Sequence, residues 1–149
     1  MTNFTRSLLH LGVLAGTLCG CGSSGGLPGI VPSVTITSPT ENAAVNLATA
    51  NKVAINFNTN YTLKAPGTCA GIENCGHVYV LIDNTSCNPV GSPYNTLASS
   101  SPTTADFGKC MMASGQHTIT VELRHDDGSV VLNLLNNPVT AKVTVTTQL

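Results

Sequence analysis

The chain has 149 residues, a formal net charge of -1 and only 9% charged residues. So sparse a basic content excludes the phosphate-binding footprint of a nucleic-acid binder, and an apolar fraction of 42% excludes a charged disordered tail. With no Trp, three Phe and three Tyr, any core has to be built from Val, Ile and Leu.

Residues 1–20 have the layout of an export signal. Arg6 gives a positive start and "SLLHLGVLAGTL" a mostly apolar run. That run is shorter than the roughly 20 apolar residues a membrane-spanning helix needs. It ends in Leu18-Cys19-Gly20-Cys21, which resembles the lipobox of bacterial lipoproteins. The resemblance implies cleavage before Cys21, diacylglycerol on the Cys21 sulfur and loss of Cys19 with the signal. It also makes a membrane the first expected partner. Gly22 rather than Asp follows Cys21, which in that family points to sorting to the outer membrane. The run "GSSGG" then reads as a flexible tether, stiffened at "LPGIVP" by Pro28 and Pro32. The expected organisation is a signal at 1–20, a tether at 21–32 and one domain at 33–149.

Within that domain, period-two alternation is the main signal. "SVTITSP" (33–39) predicts a first strand that stops at Pro39, and "AAVNL" a weak second segment. In "NKVAINFNTN" (51–60), Val53, Ile55 and Phe57 fall on one face and Ala54, Asn56 and Asn58 on the other. "APGTCAGIENC" reads as a loop. "HVYVLID" (77–83) predicts a strand with Val78, Val80 and Ile82 inward and His77, Tyr79, Leu81 and Asp83 outward. Residues 84–110 read mostly as a loop punctuated by Pro89, Pro93 and Pro102, with "TADF" a short crossing strand. "QHTITVELR" (116–124) is the clearest alternation, with Ile119, Val121 and Leu123 inward and Thr118, Thr120, Glu122 and Arg124 outward. "HDDG" is a turn, and "SVVLNLL" with "VTAKVTVTT" forms the last edge.

Short strands separated by turn signals predict an all-β protein, an antiparallel β-sandwich of about seven strands. The stretches "VTITSP", "GHVYVLID" and "GQHTITVEL" followed by an acidic turn resemble immunoglobulin-like domains of bacterial surface proteins. A second likeness is to a bacterial family of unknown function, in which a Gly-His-His-His strand ends in Ile-Asp and precedes a Gly-x-His-Thr strand. Here Gly76-His77 is followed by Val78 and Tyr79 in place of two further histidines.

Removing Cys19 and Cys21 leaves Cys69, Cys75, Cys87 and Cys110, an even number that suggests two disulfides in an exported domain. Four cysteines allow three pairings. The immunoglobulin-like resemblance makes the third and sixth strands antiparallel neighbours. It therefore implies a Cys87–Cys110 bridge, which leaves Cys69–Cys75 as a local staple. Neither pair has the doubled CxxC spacing of a zinc site.

The histidines are the other candidates. His77 and His117 fall at opposite ends and on opposite faces of two paired strands. His77 and His125 fall near the same end, with Asp127 adjacent, so His77, His125 and Asp127 form the one candidate metal site. The plainer reading is an exposed His77 beside a solvated turn, with no cofactor. Met111-Met112 beside Cys110 raises a soft copper ligand set, although two successive Met point in different directions. His117 is expected to pack at a strand start and to hydrogen-bond loop backbone. No Walker motif occurs, and the patterns G-x-G-x-x-G (20–25) and G-x-S-x-G (22–26) occur only in the Gly/Ser-rich run read as signal end and tether. The expectation is a non-catalytic envelope lipoprotein that binds a glycan or another envelope protein, with the 84–110 loop as the place for recognition. The alternative is a periplasmic copper- or zinc-binding protein.

Overall fold

In the computed structural model, residues 29–48, 50–110 and 114–149 are described. The signal at 1–20, Cys19, Cys21, most of the tether and Met111-Met112 lie outside the described residues. Nine strands are present among those described: β1 (Val34–Ser38), β2 (Ala43–Asn46), β3 (Lys52–Thr59), β4 (Thr62–Leu63), β5 (Cys75–Ile82), β6 (Thr96–Ala98), β7 (Thr103–Asp106), β8 (Gly115–His125) and β9 (Thr140–Gln148). A 3-10 turn, Phe107–Lys109, follows β7.

The strands form two layers of an immunoglobulin-like sandwich. One sheet runs β1-β3-β7, and the other runs β2-β9-β8-β5-β4 with β6 on β5. Alternation explains the packing. Val53, Ile55 and Phe57 of β3 are buried while Lys52, Ala54, Asn56 and Asn58 are exposed. They face Val78, Val80 and Ile82 of β5, Ile119, Val121 and Leu123 of β8, and Val143 and Val145 of β9, all in one core. Eight of these side chains are completely buried, and each contributes roughly 1.5–3 kcal/mol from burial.

The central pair is β5–β8, antiparallel from Gly76↔His125 to Ile82↔Ile119. It brings the end of β5 beside the start of β8. The Cys87–Cys110 and Cys69–Cys75 disulfides are both formed, with Cα separations of 4.6 and 5.8 Å.

The fold departs from the sequence reading in three places. The sandwich is not wholly antiparallel, because β2 pairs parallel with β9 and β4 parallel with β5. Both short strands lie just after a crossing from the smaller sheet to the larger, so they join the sheet edge travelling in the direction of the strand they meet. Residues 84–110 are more ordered than a loop, since β6 extends the β5 edge and β7 joins β3. "SVVLNLL" makes only isolated bridges, Arg124↔Val130 and Leu132↔Pro138. Val131 is buried, but Leu134 and Leu135 are 84% and 79% exposed.

Candidate functional site

Three connections meet where β3 and β8 finish and β5 begins. They are the loop between β4 and β5, the turn after β8, and the segment leading into β1. A cleft of about 890 Å³ opens between them, lined among others by Ile30, Tyr61, Glu73, His125 and Asp127. Its walls are tied by backbone-directed bonds. Asp126 Oδ1 accepts from the backbone N–H groups of Thr68 and Cys69 at 3.0 and 3.2 Å. The Asp126 carbonyl accepts from Gly67 at 3.2 Å, and the Cys69–Cys75 bridge closes the loop so held. Tyr61 Oη lies 3.1 Å from His125 Nδ1. Asp127 Oδ1 accepts from the Ser129 hydroxyl at 2.6 Å and its N–H at 2.9 Å. Those bonds hold the Asp127 carboxyl below the usual carboxylate range. The acids of the turn thus already serve as local acceptors.

His77 is not the exposed strand residue that alternation predicted. It is completely buried, and Tyr79 is only 9% exposed. The cover comes from Arg124 of the neighbouring β8 and from connections, rather than from the opposite sheet. The His77 and Tyr79 rings lie 5.4 Å apart, and Tyr79 is flanked by Tyr94 at 4.5 Å and by the Arg124 guanidinium at 4.5 Å from its ring centre. Arg124 Nη1 donates to the Gly128 carbonyl, folding the turn over this face. Both ring nitrogens of His77 are buried without a hydrogen-bond partner.

Burial pushes the His77 pKa down, and Arg124 pushes the same way against the opposing pull of Asp126 and Asp127. The unfolded chain therefore binds this proton first, at about pH 6.5. Stability from neutral His77 is complete above that pH and is lost as pH falls through it toward the lower folded value. Urea midpoints should fall between pH 7 and 5 in the wild type and fall less in His77→Phe. Equal pH slopes in the two proteins would remove His77 as the cause.

The register also separates the candidate ligands. Gly76 stands opposite His125, and His77 opposite Arg124. Paired residues share a face and successive residues alternate. His125 thus projects on the core side, toward Tyr61, and His77 on the outer side. The same parity that divides His77 from His117 divides it from His125. Among the described residues, no three His, Cys, Asp or Glu side chains gather closely enough to hold a metal ion.

No protein-family model matches the chain, and no curated protein matches it. Two solved structures are similar in outline. The fibronectin(III)-like modules of CbhA from Clostridium thermocellum match over 78% of this chain and 99% of theirs, at 16% identity and a TM-score of 0.43. The PKD domain of human KIAA0319 matches over 84% of this chain and 91% of its own, at 13% identity and a TM-score of 0.37.

At the far end of the sandwich, His117 is buried as expected, but its partner is a carboxylate rather than loop backbone. Its Nδ1–H donates to Asp83 Oδ2 at 2.7 Å, and its ring meets Phe107 edge-on at 5.1 Å. Asp83 has a positive φ of 49°, so it turns out of line just after β5 ends. There its Oδ1 accepts from Thr118 N–H at 2.8 Å. Asn95, which sequence reasoning passed over, is completely buried. Its amide donates to the Cys87 and Asp106 carbonyls at 2.7 and 3.0 Å, and its oxygen accepts from Asp106 N–H at 2.8 Å. Lys109 Nζ donates to the Asn95 carbonyl at 2.5 Å. Asn95 and Tyr94, both within the 84–110 segment expected to serve recognition, are occupied in holding that segment together. Only the position of Asn95 two residues after Pro93 hinted at this, since Asn in turns often bonds nearby backbone.

Proposed function

We propose that this chain is a bacterial envelope lipoprotein, anchored by diacylglycerol on Cys21 and sorted to the outer membrane. Residues 21–32 act as its tether, and the sandwich at 33–149 is a non-catalytic binding or structural module. The observation that carries this reading is Leu18-Cys19-Gly20-Cys21 at the end of a short apolar run. Two formed disulfides further along the chain support it, because such bridges persist in oxidising compartments. No helix among the described residues is long and apolar enough to cross a membrane. Each acyl CH₂ in the bilayer contributes about 0.8 kcal/mol, and two or more chains give stable attachment. A polar partner, a glycan or another envelope protein, would meet the surfaces that this anchor leaves free.

Cys21→Ser should move the protein from the membrane fraction to the soluble fraction, whereas Cys19→Ser should leave it with the membranes. The mass of the membrane form should correspond to a chain beginning at Cys21 plus its acyl groups. A Cys21→Ser protein that still sediments with membranes, at unchanged mass, would refute the anchor.

A further inference from the structure

We propose that a groove on the outer face of the larger sheet binds an acidic saccharide, a chain containing uronic acid. This rests on the binding-module reading above, to which it gives a site and a ligand class, and not on the anchor at Cys21. The groove follows from strand register. Leu81 of β5 stands opposite Thr120 of β8, and Thr120 stands opposite Lys142 of β9. Ile119 and Val121 face the core, so this row faces outward. Neighbouring strands lie about 4.8 Å apart, which sets the row about 10 Å wide. Asn84 follows the end of β5, and Asn137 and Pro138 precede β9. With the row they border a groove of about 340 Å³, near the lower end of the range for small-ligand sites.

Thr120 points to a ligand. It is only 4% exposed and lines the groove, yet its hydroxyl has no hydrogen-bond partner among the described residues. Buried polar groups are normally paired, so the groove floor calls for a polar occupant. The side-chain amides of Asn84 and Asn137 are likewise unengaged among the described residues. Charge narrows the class. Among the described residues, Lys142 pairs with no carboxylate, whereas Glu122 pairs with Arg124. The groove thus holds one unanswered cation and one carboxylate already compensated, and it favours an anionic group at Lys142. Arg124 engages Oε1 of Glu122, which leaves Oε2 to accept from a hydroxyl. Phosphate is a poorer match, because it favours bidentate Arg, and Arg124 is committed to Glu122 and the Gly128 carbonyl. Leu81 and Pro138 supply apolar surface for the C–H face of a ring. One carboxylate, several hydroxyls and an apolar ring face are the features of a uronic acid residue.

The test is an amide-resonance titration of the nitrogen-15-labelled full chain in detergent micelles. The probes are trigalacturonate, a glucuronate–N-acetylglucosamine tetrasaccharide, and the methyl esters of both, which keep every hydroxyl and lose the charge. At least one acid should give saturable shifts at Thr120, Glu122, Asn137 and the Asn84 side-chain amide. Its ester should bind roughly five- to tenfold more weakly. Lys142→Gln should bring acid and ester to equal affinity. Thr120→Val, which keeps the shape and removes the hydroxyl, should weaken both. A dispersed amide spectrum matching that of the wild type establishes that each variant is folded. Saturable shifts centred on Tyr61 and His125 instead would overturn the groove and keep the binding-module reading, with the cleft as its site. Equal binding of acid and ester by the wild type would overturn the acidic class. No shift from any of the four saccharides would overturn the proposal outright, while the anchor would still stand or fall on Cys21→Ser.

Discussion

Gly76→Ala is expected to prevent folding, or to lower the urea midpoint far more than any surface substitution. A Cβ at this position would fall 1.9 Å from the backbone carbonyl oxygen of Arg124 and 3.0 Å from its carbon. Neither atom is the movable tip of a side chain. Gly76 sits opposite His125 on one side and Leu63 on the other, and its carbonyl accepts from Lys64 N–H at 2.7 Å. The preceding residue, Cys75, is held by its disulfide. Relief therefore requires β5 and β8 to part at the pair that starts their register. Overpacking in a yielding core costs about 1–3 kcal/mol, and a clash with fixed backbone should exceed that range. The whole stability of a domain is only about 5–15 kcal/mol. Gly29→Ala is the matched control, because its Cβ would meet nothing within 4 Å, and its effect should stay within about 0.5 kcal/mol. Equal urea midpoints for the two variants would show that the strands can separate here without cost.

The same glycine marks the boundary between what the sequence shows and what it hides. The alternation of β3 and β8 was legible because one face of each strand meets the opposite sheet and the other meets solvent. That two-sided contrast is what period two records. Along β5 the contrast vanishes, with Leu81 the only residue not fully buried. Its outer face is covered by Arg124, Tyr94 and the Asp126–Gly128 turn. Arg124 comes from the neighbouring β8 and the other groups from connections, and hydropathy along β5 carries no trace of them. His77 therefore reads as exposed when it is among the most buried polar residues. Asn95 was hidden for a related reason, since a buried amide that bonds three backbone groups looks in sequence like any loop Asn. The separation of His77 from His125, by contrast, was present in the parity of "QHTITVELRH" and needed only the register. The two disulfides followed from the immunoglobulin-like resemblance, which sets the end of β5 beside the start of β8, implies Cys87–Cys110 and leaves Cys69 for Cys75.

The Cys87–Cys110 bridge should matter more than the Cys69–Cys75 bridge, although each is a single staple. In the chain-entropy model the stabilisation grows with the length of chain closed. The separations are 23 and 6 residues, which correspond to about 3.4 and about 2.2 kcal/mol. Native contacts widen the difference. Cys87 packs in the main core with Cys110 beside it, and the Cys87 carbonyl accepts from the buried Asn95 amide. Losing the bridge loosens both the Asn95 network and the Phe107 turn that supports His117. Cys69 lies instead on the rim of the cleft, where Asp126 still holds its N–H after the bridge is gone. Replacing Cys87 and Cys110 together by Ser should lower the urea midpoint clearly more than replacing Cys69 and Cys75 together. Both double variants avoid a free thiol, so equilibrium unfolding under oxidising conditions compares them directly. A larger loss from the Cys69/Cys75 variant would mean that the cleft loop, and not the long crossing between the sheets, limits the stability of the domain. Backbone amide exchange would then show early opening around β4 and the start of β5, instead of around β6 and β7.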